Sequence, residues 1–129
     1  MTPIRVVADA ERASVPSAAL LRIPVRRGGD IVLVPVDDVV SVVSDAELLR
    51  LTTQTGEQFT IAYRLKDLEA RLDALQFVRI SRGTLLNLTA IQKITPAPGG
   101  TFVATLYSGA RHHVSRACGR VLRDQLLRL

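Results

Sequence analysis

At 129 residues, 47% apolar and 22% charged, the chain has the size and composition of one folded domain rather than of a disordered segment. Its single cysteine, Cys118, excludes an intrachain disulfide and a thiolate metal cage. The net charge of +5 is unevenly placed: residues 1–77 carry 9 Lys and Arg against 11 Asp and Glu, whereas residues 78–129 carry 8 against the lone acid Asp124. Such a split suits a polyanion, nucleic acid or an anionic membrane, and equally suits a solvated basic surface with no partner.

Residues 1–19 show no sustained hydrophobic period and contain Pro3 and Pro16, so they read as a tail or linker, with the folded domain over 20–129. Asp9 and Glu11 interrupt any signal-peptide core. No apolar run is long enough to span a bilayer, so a cytoplasmic location is expected. From Leu21 the pattern alternates to Arg26, and Arg27-Gly28-Gly29-Asp30 marks a turn. Strands are expected at 31–36, 39–43, 47–53 and 58–62, with turns at Ser44-Asp45-Ala46 and Thr55-Gly56.

The period then changes. Leu65, Leu68, Leu72 and Leu75 fall at helical spacing with charged residues between them, which predicts an amphipathic helix over 63–75. Core packing accounts for its leucine stripe, and no chemistry is assigned to it. Phe77 to Ile80 reads as a short strand, Thr84 to Leu86 as a single helical turn, and Asn87 as an amide that satisfies backbone groups in a tight turn. Strands at 91–95, 101–107 and 110–114 follow. Ser115 is placed to N-cap a final helix whose core face is Cys118, Val121, Leu122, Gln125, Leu126 and Leu129.

The residues that catalysis needs do not converge. His112 and His113 are adjacent on a strand and point to opposite faces, so they cannot share a metal or serve Ser115 together. No Gly-x-Ser-x-Gly turn surrounds the serine, and no phosphate-cradling glycine motif occurs. The chain is therefore read as a non-enzyme with no cofactor, no metal and no small-molecule substrate. The basic residues are more specific. Arg79-Ile-Ser-Arg82 and Val114-Ser-Arg116 share one pattern, a strand followed by serine, arginine and an exit, and Arg120 follows one helical turn later. Arginine can bond guanine edges and phosphates, and serine hydroxyls can bond phosphate oxygens. With no Trp, three Phe and two Tyr, the chain lacks a stacking platform for single strands, which favours a duplex.

Leu65, Lys66, Asp67 and Leu68 opening a helix, then Phe77-Val-Arg79-Ile-Ser-Arg82, then Leu86, Asn87, Leu88 and Ile91, then Ser108-Gly109 and Val114-Ser115-Arg116, stand in an order and spacing that resemble the LytTR DNA-binding domain. Ile23 to Arg26 and Val36 to Val40 resemble the first strands of that family, so the likeness spans about residues 20–129. The resemblance implies a mostly β fold of small antiparallel sheets packed together, with two short α-helices. It implies sequence-specific duplex DNA binding by a bacterial transcriptional regulator, with loops entering the major groove at paired direct-repeat sites and a homodimer forming on DNA. Carried onto this sequence, the contacts are Arg79, Ser81 and Arg82, then Ser115 and Arg116; Arg120, one helical turn on, is added to them as a phosphate contact. The chain departs from the family pattern in two places. The first loop carries Glu47 and Leu48 where members often place a polar or basic residue, and Ala117 stands where some have arginine. A second reading is a protein-interaction or regulatory module that keeps the fold without reading DNA.

Overall fold

The computed structural model describes residues 19–128; nearly all of the tail expected at 1–19, and Leu129 of the last helix, lie outside the described residues. Strand β1 (Arg22–Arg27) and β2 (Asp30–Pro35) form a two-stranded hairpin. β3 (Val39–Asp45), β4 (Leu48–Thr53) and β5 (Gln58–Ile61) follow, then helix α1 (Leu65–Glu69), β6 (Phe77–Ser81) and β7 (Thr84–Asn87). These strands make a five-stranded antiparallel sheet in the order β5-β4-β3-β7-β6. β8 (Ile91–Pro96), β9 (Phe102–Leu106) and β10 (Arg111–Val114) form a three-stranded antiparallel sheet in the order β10-β9-β8. Helix α2 (Arg116–Leu126) closes the described chain. The fold is thus the mostly β arrangement of packed antiparallel sheets with two short helices that was expected.

The five-stranded sheet is the middle layer because both of its faces are apolar. On one side Val42, Leu49, Leu51, Phe77 and Leu85 pack with Ile23, Val25 and Val34 of the hairpin and with Leu65, Leu68 and Leu72. On the other side Val78, Ile80 and Leu86 pack with Ala104, Leu106 and Val114 of the three-stranded sheet and with Leu122 of α2. Successive strand residues point to opposite faces, so neighbours such as Leu85 and Leu86 feed different cores.

That two-sided burial corrects the expected helical turn at Thr84–Leu86. Leu85 and Leu86 are both fully buried, one in each core. Only a strand presents adjacent residues to opposite sides. β7 also pairs on both edges, with β3 and with β6.

The helix expected over 63–75 is likewise shortened, to Leu65–Glu69. Leu65, Leu68 and Leu72 are buried as their spacing implies, but Leu75 is 78% exposed. The chain must reverse there to bring Phe77 into β6. Asp73 makes the turn: its carboxylate accepts from the Leu75 amide at 2.8 Å, and its carbonyl accepts from the amides of Gln76 and Phe77.

Asn87 performs the expected structural task. It is buried, its amide nitrogen donates to the Val39 carbonyl at 3.0 Å, and its Oδ1 accepts from the amide and hydroxyl of Thr89. It thereby caps the short 3-10 turn Leu88–Ala90 that leads into the three-stranded sheet. In α2 the buried stripe runs through Gly119 and Leu122, with Cys118 and Leu126 packed beside it, while Val121 is 56% exposed. Gly119 is required by close approach: a Cβ there would lie 2.5 Å from the Phe102 ring.

Candidate nucleic-acid interface

The tip of the β6–β7 hairpin is a two-residue turn, Arg82-Gly83, between the paired residues Ser81 and Thr84. The register shifts between Arg79 and Ser81, so Ile80 has no partner across the hairpin. Its side chain remains buried in the second core. Its carbonyl, on the edge strand of the sheet, accepts from the Ser115 amide at 2.9 Å. This bond joins the two serine-arginine segments, placing the Ser81-Arg82 turn beside the start of α2.

Ser115 is the N-cap of α2, and its hydroxyl oxygen accepts from the Cys118 amide at 3.2 Å. No acid occupies the first turn of this eleven-residue helix, so its positive end is not neutralised within the helix. Arg116 is exposed, and its aliphatic stem lies against the Pro98–Gly100 turn: a Cβ on Gly100 would sit 3.4 Å from Cγ and Cδ of Arg116. Arg120 is exposed one turn further along. Arg82 is exposed and forms no ion pair among the described residues.

Arg79 is placed differently. Strand alternation puts it on the Phe77 side of the sheet, facing α1, while its neighbours Val78 and Ile80 face the other core. Its guanidinium bonds one carboxylate oxygen of Glu69 through Nη2 at 2.7 Å and through Nε at 3.2 Å. A third nitrogen, Nη1, donates to the Arg82 carbonyl at 2.6 Å. Its side chain is only 26% exposed. Arg79 thus links α1 to the backbone of the tip, and the Gly83 carbonyl is held in turn by the Ser44 amide at 2.8 Å.

The first loop lies alongside. Asp45 pairs with Leu48 across the β3–β4 hairpin, so the turn is Ala46-Glu47 and not the expected Ser44-Asp45-Ala46. Ala46 adopts φ of 60°, a left-handed conformation that side chains resist. Asp45 pairs with Arg50 at 3.4 Å, and Glu47 is exposed. Between this loop and the Arg82 tip opens a cleft of about 710 Å³, whose walls include Ser44, Glu47, Arg64, Lys66, Arg79 and Arg82. Arg64, Lys66 and Glu69 were passed over in the sequence because the helical stripe explained that segment completely. Only the facing of α1 onto Arg79 gives them a place in the site.

His112 and His113 separate as strand neighbours must. His112 lies half-buried toward the inner face, where burial pulls its imidazole below the ordinary value, and His113 is exposed. Among the described residues no group of three or more His, Cys, Asp or Glu could hold a metal, and no helix is long and apolar enough to cross a membrane.

Residues 29–127 match the family model described as the LytTr DNA-binding domain. A solved LytTr DNA-binding domain, from a Bacillus cereus protein described as a methyl-accepting/DNA response regulator, has a similar fold. The TM-score is 0.76 at 21% identity, covering 84% of this chain and 99% of that one. Comparison with curated proteins gives no match.

Proposed function

The chain belongs to the LytTr DNA-binding domain family, a DNA-binding and not a catalytic class, and we propose that it reads duplex DNA as a bacterial transcriptional regulator through its arginine-bearing edges. The hydrogen bond between the Ile80 carbonyl and the Ser115 amide carries this reading, because it sets the Ser81-Arg82 turn and the Ser115-Arg116 helix start side by side. Arg82 and Arg116 are assigned to base edges or phosphates at the groove. Ser81, Ser115 and the amides at the start of α2 serve phosphate oxygens, and Arg120 serves a phosphate further along. Arg79 acts on the duplex from behind the turn, through the Arg82 carbonyl that it holds. Paired direct-repeat sites about one helical turn apart, occupied by two copies, complete the proposal.

A selection from random duplexes, followed by anisotropy titrations on the preferred site, tests it. Arg82→Ala and Arg116→Ala should each cost about 1–3 kcal/mol wherever the arginine reads a base, and affinity should fall steeply with salt. Unchanged affinity in both variants would remove the site assignment. The acidic tip at Asp45 and Glu47 favours a second reading, a regulatory protein-interaction module without DNA reading. Failure of the chain to be retained on duplex DNA or heparin at moderate salt would select that reading.

A further inference from the structure

We propose that α1 is the second phosphate-binding wall of the interface, with Arg64 and Lys66 gripping a DNA phosphodiester across the cleft from the Arg82 tip. The inference rests on the DNA-binding reading above and adds to it a site on an element whose sequence is explained by core packing alone. Three observations converge on it. Arg64 and Lys66 are exposed, form no ion pair among the described residues, and line the same cleft as Arg82. The cleft, at about 710 Å³, is open to solvent and large enough for a backbone phosphate with its flanking sugars.

The third observation is mechanical. α1 does not hang loosely beside the tip. Glu69 at its end holds Arg79 through two hydrogen bonds, and Arg79 holds the Arg82 carbonyl through a third. Beneath them Leu65 and Leu68 are buried in the first core. The cations of α1 and the Arg82 tip therefore form one rigid unit, able to meet adjacent groups of a single duplex in fixed register. Glu69, beside the cleft, is taken up by Arg79. Glu47 is the acid that opposes an incoming phosphate, so the cleft keeps a cationic excess. A phosphate contact of this kind is blind to sequence, unlike the contact assigned to Arg82.

The test is a salt titration of the chain on its preferred duplex and on a scrambled one, with Arg64→Gln/Lys66→Gln as the decisive variant. The double variant should bind both duplexes more weakly by a similar factor. Its slope of log affinity against log salt should be shallower by about 2, roughly one per lost charge. Arg64→Lys/Lys66→Arg, which keeps both charges, should keep the slope. Both positions are exposed, so thermal unfolding should match that of the parent chain. A parental slope in the glutamine variant, with the parent chain and Arg82→Ala behaving as proposed above, overturns this site and leaves DNA reading intact. No duplex binding by the parent chain overturns both. Inorganic phosphate titrated alone separates the sources: saturable NMR shifts at Arg64 and Lys66 without duplex would make this a free-phosphate site and overturn the assignment to DNA.

Discussion

Two hairpin tips on the same sheet border the cleft, and they are built in opposite ways. Beyond the bond of the Ser44 amide to the Gly83 carbonyl, which the two tips share, the β3–β4 tip is supported only locally. Asp45 reaches back to Arg50, and Ala46 sits in a left-handed conformation that glycine would occupy more easily. The β6–β7 tip is held by Arg79 of its own strand β6, which Glu69 of α1 fixes and which bonds the Arg82 carbonyl, and from outside by the Ser44 amide of β3 on the Gly83 carbonyl and the Ser115 amide at the start of α2 on the Ile80 carbonyl. The first tip is acidic and the second basic. The contrast teaches that a contact surface for an anion needs more than positive charge. Its backbone must be fixed before the ligand arrives, so that ordering the loop does not consume the binding energy.

Four changes, with Arg50→Ala as a control, would break or sharpen that contrast. The largest effect is expected from Asn87→Ala, which anchors β7 at its end away from both tips. Its removal strands the Val39 carbonyl and the Thr89 amide, and should cost on the order of 3 kcal/mol of stability in denaturant unfolding. Base preference in the fraction that remains folded should be unchanged; a shift in preference would mean that the tips are not independently held. Next, Arg79→Ala should lower affinity for the preferred duplex by about 2 kcal/mol, within the range set for losing a base contact. Arg50→Ala, at the other tip, should leave affinity nearly untouched in the same titration, and equal losses from both variants would erase the distinction between externally and locally held tips.

Smaller again, Glu47→Lys should strengthen binding by up to about 1 kcal/mol and steepen the salt dependence, because it exchanges an opposing charge for an assisting one at an exposed site. Weaker binding by this variant would show that the acid contributes a specific contact. The smallest change is Ala46→Gly. Relief of the left-handed alanine should stabilise the fold by about 1 kcal/mol or less, read as a small rise in melting temperature, with affinity unaltered. Altered affinity would place the backbone of this loop against the ligand.

Much of the fold was legible without coordinates because its signals are local. Alternation marked the strands, glycine pairs marked the turns, the spacing of Leu65, Leu68 and Leu72 marked the buried face of a helix, and Ser115 marked a helix start. The errors arose where local and tertiary demands diverge. Thr84–Leu86 can form a helical turn in isolation, yet two cores compete for Leu85 and Leu86, and a strand satisfies both. The helical period through Leu75 is real in the sequence, but the entry of Phe77 into β6 ends the helix at Glu69.

The candidate site divides in the same way. The residue types and the charge split between the two parts of the chain are properties of the sequence. So is the repeated serine-arginine pattern, because each residue's chemistry travels with it. Which of these groups meet is decided by packing. Ile80 reaches Ser115 because β6 is the edge of its sheet and the three-stranded sheet with α2 packs beside it. Arg79 turns to Glu69, rather than outward, only because the buried leucines of α1 set that helix on the Phe77 face of the sheet. Contacts between residues so far apart in the chain have no local signal: they form when two cores close on either side of one sheet, and the tertiary structure alone records them.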